Sequence, residues 1–273
     1  MPKERTRAEW LASITHHVEI TPSLREILDG VILSDGSYQR KGIRQTALFR
    51  LTQHPCRRGW LNSLIQSLAS KGVVSFVGEV TKKVSYFEGR LMPERKYDLL
   101  RSLNYAEFVQ ERTRWYPNGT KIVPSDIKLT PVLLTHWFCG DGRGGDQKGT
   151  LGFCTDGFSV LDVDLLVYRL RVDLGIIALR TLNHRGHPQI LVSRRDEAVK
   201  LAECVTPYLP ECCMYKLKHV HPSTQVGRGR KLSDDLKIAI QRDCGNGTMR
   251  EVAVKYGVSV SKVWLLWHSI ESR

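Results

Sequence analysis

Two nine-residue stretches of this chain, residues 28–36 (LDGVILSDG) and 134–142 (LTHWFCGDG), are apolar runs that finish in Asp-Gly. Each is entered through an aliphatic-Thr-Pro step, Ile20-Thr21-Pro22 and Leu129-Thr130-Pro131. The repeat places one carboxylate, Asp35 or Asp141, at the same point of two similar helices. Two carboxylates brought together can hold a hard divalent cation. An acid in the last turn of a helix faces the negative end of the macrodipole, at a cost of about 0.3–1 kcal/mol. Two neighbouring carboxylates also repel, which raises one pKa. A bound cation offsets both effects. One such Asp reads as an exposed helix end; two at matching places read as a site.

For the two acids to meet, their helices must lie side by side, and close approach needs small side chains at the contact. Gly30 and Ser34 in the first helix, and Thr135 and Gly140 in the second, supply them. His136 lies where Gly30 lies, so the fit is not symmetric.

The elements that position these helices read in one order, twice. Thr21 caps a helix, Pro22 suits its first turn, and Gly36 stops it after Asp35. Strand-like segments follow at 38–44 and 46–52. The second alternates, with Ala47, Phe49 and Leu51 on one face and Thr46, Arg50 and Thr52 on the other. A helix over 60–69, strands at 73–77 and 96–100 and a helix over 106–112 close the unit. The second unit has a helix over 131–141, strand character at 150–155, a helix over 160–172, strands at 176–182 and 190–193, and a helix over 196–205. The order α-β-β-α-β-β-α predicts an α+β fold built as a duplicate, its halves joined by the turn-rich Trp115-Tyr116-Pro117-Asn118-Gly119.

The chain has 273 residues and a formal net charge of +13, with a sequence pI near 9.5. An excess of that size favours a polyanionic partner, and nucleic acid above a membrane surface. No apolar run is long enough to span a bilayer, and the first residues carry no apolar signal region. The expectation is an intracellular protein, with a bacterial or phage-host cytoplasm favoured over an organelle. The seven cysteines include no Cys-x-x-Cys pair and read as free thiols in a reducing compartment. No ligand-spaced partners surround His184, His187, His219 or His221, and His16-His17 reads as surface.

After Leu217 the composition shifts to a Gly-, Pro-, Ser- and Arg-rich linker and then to a helical tail. Ala253, Gly257 and Val263 have the spacing of a helix-turn-helix, though a plain helical hairpin fits the same residues. If the motif binds DNA, Ser259, Ser261 and Lys262 are the side chains expected to meet it.

Both nonamers resemble the motif of the LAGLIDADG homing endonucleases in their single-chain, two-motif form. The likeness continues through Trp115-Tyr116-Pro117-Asn118-Gly119-Thr120-Lys121-Ile122-Val123-Pro124, Trp137-Phe138, Phe153-Cys154-Thr155-Asp156-Gly157-Phe158-Ser159, and from Pro207-Tyr208 to Tyr215-Lys216-Leu217. It implies two αββαββα units in pseudo-twofold duplicate, with curved antiparallel sheets set over the DNA major groove. It implies a monomer that makes a staggered double-strand break at a long asymmetric target. By resemblance, Asp35 and Asp141 are the catalytic ligands of Mg2+, or of Mn2+ or Ca2+ at the same site, and each acid serves one strand. Gln53 matches a position that orders water near the metal, and Asp156 is expected at the corresponding place of the second half. Lys96, Lys148 and Arg194 are expected near the scissile phosphates, and Arg44, Thr46 and Arg50 in the groove. The implied boundaries are an N-terminal helical extension 1–19, halves at 20–114 and 130–217, a connector 115–129, a linker 218–231 and a tail 232–273. Two other functions share the pattern. One is a non-cleaving transcription regulator of the WhiA type, which joins such a unit to a C-terminal helix-turn-helix. The other is an intron RNA maturase.

Overall fold

The computed structural model describes residues 15–40, 42, 45–87, 90–144, 149–220, 232–258 and 260–268. Arg44, Lys148, Ser259, the expected helix before residue 15 and most of the linker lie outside the described residues, as does the Ser261 side chain.

The first half runs α1 (Pro22–Leu33), β1 (Ser37–Gln39), β2 (Leu48–Gln53), α2 (Arg58–Ala69), β3 (Ser75–Lys82), β4 (Ser85–Phe87), β5 (Arg90–Met92), β6 (Arg95–Ser102) and α3 (Phe108–Trp115). The second runs α4 (Pro131–Asp141), β7 (Gly142–Arg143), β8 (Leu151–Cys154), α5 (Val160–Leu174), β9 (Leu179–Leu182), β10 (Pro188–Val192) and α6 (Arg195–Val205). The halves carry equivalent antiparallel four-stranded sheets, ordered β1-β2-β6-β3 and β7-β8-β10-β9. The expected duplicate order is therefore present. The first half adds the β4-β5 pair, and the two-residue β7 gives the second half a strand the sequence did not single out.

The motif helices begin as their sequences dictate. The Thr21 hydroxyl accepts from the Leu24 amide and the Thr130 hydroxyl from the Leu133 amide, with proline in the first turn of each helix. Both helices are buried on nearly every side: Leu24, Leu28, Val31, Ile32 and Leu33 in α1, and Leu133, Leu134, Trp137, Phe138 and Cys139 in α4. Such helices form the centre of a molecule rather than its coat. α1 and α4 pack on each other, and one core runs through both halves.

Each sheet turns one face to this core. In β2, Phe49 and Leu51 are fully buried while Arg50 and Thr52 are half-exposed, as the alternation predicts. In β6, Asp98, Leu100 and Ser102 point to the core side and Tyr97, Leu99 and Arg101 to the open side. In the second half Leu151, Phe153, Ile190 and Val192 are buried, and Phe153 stacks on Trp137 at 3.9 Å between ring centroids.

Residues 221–273 form a separate compact unit. Its helices are α7 (Asp234–Arg242), α8 (Met249–Lys255) and α9 (Val260–His268). They enclose Ile240, Val252, Ala253, Val258 and Val263. Thr248 and Glu251 form a reciprocal capping box at the start of α8. Gly257, at φ +61°, makes the turn that other residues resist. Lys262 is half-buried, while Val260, Trp264, Leu265 and His268 are exposed.

Candidate active site

The two motif helices meet residue against equivalent residue. A Cβ at Gly30 would stand 2.4 Å from the Leu133 carbonyl oxygen and 2.9 Å from His136 Cβ. A Cβ at Gly140 would stand 2.2 Å from Ser34 Oγ and 2.3 Å from Ser34 Cβ. Aligning the motif aspartates makes Gly30 the counterpart of His136, and Ser34 that of Gly140. The asymmetry visible in the sequence is thus complementary: in each pair one glycine makes room for its own counterpart. His136 accepts from Trp60 Nε1 at 3.3 Å, and burial pushes its pKa down to about 4. Thr135 is a correction. It does not line this contact; its hydroxyl donates to the Pro131 and Val205 carbonyls on the side of α6.

The helix ends differ from the expected ones in an informative way. α4 extends through Asp141, but α1 ends at Leu33, so Asp35 lies in the turn that follows. The glycine after each acid is required by contact, not by a left-handed backbone. A Cβ at Gly36 would meet the Val31 carbonyl oxygen at 2.7 Å, and one at Gly142 the Phe138 carbonyl oxygen at 2.4 Å.

Asp35 is exposed and accepts from Gln53 Nε2 at 2.6 Å. Asp141 is half-buried. Burial pushes its pKa up to about 7 and the charge of Asp35 adds to the rise, while Lys121, Lys216 and Arg57 oppose it. The two carboxylates are therefore close enough to repel, as a shared site requires.

Three cations serve this end of the helix pair, and sequence reasoning assigned a role to none of them. Lys121, from the connector, donates to the Ser34 carbonyl oxygen at 2.9 Å; burial pushes its pKa down to about 8, against the opposing pull of Asp141 and Asp35. Lys216, in the 3-10 turns at Glu211–Leu217, donates to the carbonyl oxygens of Phe138, Cys139 and Gly140 at 2.7, 2.9 and 3.3 Å. Arg57 donates to the carbonyls of Cys139 and Gly140. Together Lys216 and Arg57 satisfy the carbonyls left open at the end of α4 and neutralise its dipole. The only sequence signal for Lys121 and Lys216 was their place in segments with family likeness.

The other expected positions sort as follows. Asp156 is corrected: its carboxylate accepts from Gln189 Nε2 at 3.0 Å and Asn183 Nδ2 at 3.1 Å. The strand registers, Ser37 with Arg50 and Arg143 with Gly152, make Thr155 the counterpart of Gln53. Thr155 donates to the Pro188 carbonyl instead, so among the described residues an amide side chain supports Asp35 and none supports Asp141. Lys96 lies on the opposite face of β6 from Arg101 and pairs with Glu79 at 3.1 Å. Arg194 precedes the first turn of α6, makes no capping hydrogen bond with its side chain, and pairs with Asp196 at 2.6 Å. Thr46 is half-buried just ahead of β2, and Arg50 stands on the open face of that strand. All seven cysteines are unpaired thiols.

Elsewhere the fold is held by an ion-pair network that touches neither motif acid. Asp29, in α1, accepts from Arg114 at 2.7 and 3.0 Å and from Trp115 Nε1 at 2.8 Å, and burial raises its pKa.

A model of the LAGLIDADG DNA endonuclease family matches residues 25–196 of the chain. An uncharacterised protein of Methanocaldococcus jannaschii is 26% identical over 206 residues, 74% of this chain and 76% of that protein. The cytochrome b mRNA maturase bI2 of Debaryomyces hansenii is 26% identical over 208 residues, 75% of this chain and 77% of that one. The homing endonuclease I-WcaI bound to its DNA recognition sequence has the same fold, with a TM-score of 0.64 and 18% identity over 79% of this chain and 95% of that one.

Proposed function

The chain belongs to the LAGLIDADG DNA endonuclease family, and from that premise we propose that it is a site-specific endonuclease that hydrolyses phosphodiester bonds in double-stranded DNA. The observation that carries the reading is the pair of motif acids held at one end of two packed helices, where Ser34 lies against Gly140, each the residue before its acid. No third His, Cys, Asp or Glu joins them among the described residues. That donor set suits a hard oxygen-seeking cation completed by phosphate and water, and argues against zinc. Asp35 and Asp141 would hold Mg2+, or Mn2+ or Ca2+ in its place. When bound, such an ion polarises a phosphate and lowers the pKa of a water.

The chain's own groups do the rest. Gln53 fixes the orientation of Asp35. Lys216 spends its donors on three carbonyls, so it positions Asp141 rather than substrate. Lys121 gives one donor to Ser34, and the remaining ones are its means of neutralising a phosphate between the acids. Since one chain supplies both acids, a monomer completes the site. The basic open face of the first sheet carries the DNA, and residues 232–273 add an accessory contact.

The similarity to the bI2 maturase favours a second reading, intron RNA binding, which is compatible with the first. A WhiA-type regulator would not need the two acids this chain keeps. The test is incubation with the uninterrupted insertion locus and Mg2+, beside competition binding with duplex DNA and intron RNA. Cutting at one position supports the endonuclease; binding to RNA alone, without cutting at any insertion locus, refutes it.

A further inference from the structure

The two open sheet faces are not equivalent, and we infer that they read opposite halves of the target by different chemistry. The inference rests on the endonuclease reading above. Two residues past each motif aspartate, one row of directly opposed residues crosses all four strands. In the first half the row is Ser37, Arg50, Arg101 and Phe76. In the second it is Arg143, Gly152, Leu191 and Leu179. The same geometric position therefore holds two adjacent arginines in one half and a glycine beside two leucines in the other.

The arginine pair is unfavourable by itself, since like charges directly opposite on a sheet repel. No acid on that face relieves it among the described residues: Leu99, Thr52, Gly78, Tyr97 and Val80 are the neighbours, with Lys82 and Arg95 adding further cations. Asp98 and Glu79 stand on the opposite face, where Arg58 and Lys96 engage them. Nothing among the described residues covers the row at its centre, for a Cβ at Gly78 would meet no atom within 4 Å, and Phe76 is 49% exposed. An uncompensated, uncovered arginine pair fits a polyanion whose guanine edges present paired acceptors to a guanidinium fork. In the second sheet Leu179 is 55% exposed, and Thr181 beside it is half-buried. Leu179 and Leu191 on a groove-facing surface contact thymine methyl groups and, unlike the exposed Arg143 at the other end of their row, gain nothing from phosphate charge.

The first half thus holds DNA and selects guanine under Arg50 and Arg101; the second half selects thymine under Leu179 and Leu191. The test uses the full chain without divalent cation. Salt dependence is measured on a random-sequence duplex, and base preference by selection from a randomised duplex pool. For Arg50→Ala with Arg101→Ala, the slope of log K against log salt on the random-sequence duplex should fall by about 2, because there each guanidinium displaces counterions as one phosphate contact does, at roughly 0.9 apiece. Arg50→Lys with Arg101→Lys keeps the charge and the fold. It should retain the slope yet lose guanine preference by about 5- to 150-fold at that step. Leu179→Ser should leave the slope unchanged and erase thymine preference in the other half only. An unchanged slope in the double alanine chain, or an equal slope loss in Arg143→Ala, overturns the inference while leaving the endonuclease standing. Failure of the unaltered chain to bind any duplex overturns both.

Discussion

The helix contact beside the acids gives the sharpest structural prediction. In Gly140→Ala the new methyl would lie 2.2 Å from Ser34 Oγ and 2.3 Å from Ser34 Cβ, while the next atom, in the Trp60 ring, is 3.6 Å away. Ordinary carbon contacts begin near 3.5 Å, so α1 and α4 must separate by about 1 Å at the point from which both carboxylates project. Overpacking of this kind costs about 1–3 kcal/mol, against which alanine returns up to about 1 kcal/mol of helix propensity. A net loss of about 1–2 kcal/mol in urea unfolding is expected, with a larger proportional loss of cleavage because the acids move apart. Ser34 accounts for the whole clash, so Ser34→Gly placed in the Gly140→Ala chain should restore stability to within about 1.5 kcal/mol. The residual reflects the lost Ser34 hydroxyl bond to the Val31 carbonyl. The readout is the coupling term of the double-mutant cycle. A Gly140→Ala chain as stable and active as the original, or two changes whose separate costs simply add, refutes the account of the contact.

Three further predictions concern charge. Burial and Asp35 hold the Asp141 carboxyl near pH 7, and a cation must displace that proton. Mg2+ affinity, followed by calorimetry, should therefore rise with pH by up to about tenfold per unit below pH 7 and level off above it; a pH-independent affinity contradicts this. Lys216→Met removes a charged donor shared by three carbonyls, two of which keep Arg57 and the third the Gly142 amide, and should cost about 1.5–3 kcal/mol in urea unfolding. Asp29→Asn removes one of three carboxylates around Arg114, which keeps Glu111 at 3.4 Å and Asp126 at 2.8 Å, and should cost about 1.5–3 kcal/mol in thermal or urea unfolding, while folded protein at low temperature cuts normally.

Much of this arrangement could be read from the residues because the signals are local. A Thr-Pro step caps a helix whatever surrounds it, and the period-2 pattern of 46–52 defines a face without reference to its partner strand. The paired acids were visible because duplication wrote the same local signal twice. What escaped depends on long-range contact. Arg57 lies 83 residues before the Gly140 carbonyl it meets, and Lys216 lies 78 residues after Phe138. Asp156 departs from the expected place because it sits one residue beyond the position that the strand register makes equivalent to Gln53. Register is set by pairing, and a slip of one residue changes the face. The exchange of Gly30 for His136 looked like a flaw in the repeat. Only the packed pair shows that a symmetric helix contact requires one small and one large residue at each crossing.

The central claim is that Asp35 and Asp141 together form the hydrolytic centre on a DNA-binding frame that does not depend on them. The most direct measurement compares cleavage and binding of one cognate duplex by the unaltered chain, Asp35→Asn and Asp141→Asn, with each strand labelled separately. The account predicts Mg2+-dependent cutting of both strands by the unaltered chain. It predicts a severe loss in each variant, and duplex affinity within a few-fold of the original. Cutting at the original rate in either variant would contradict it.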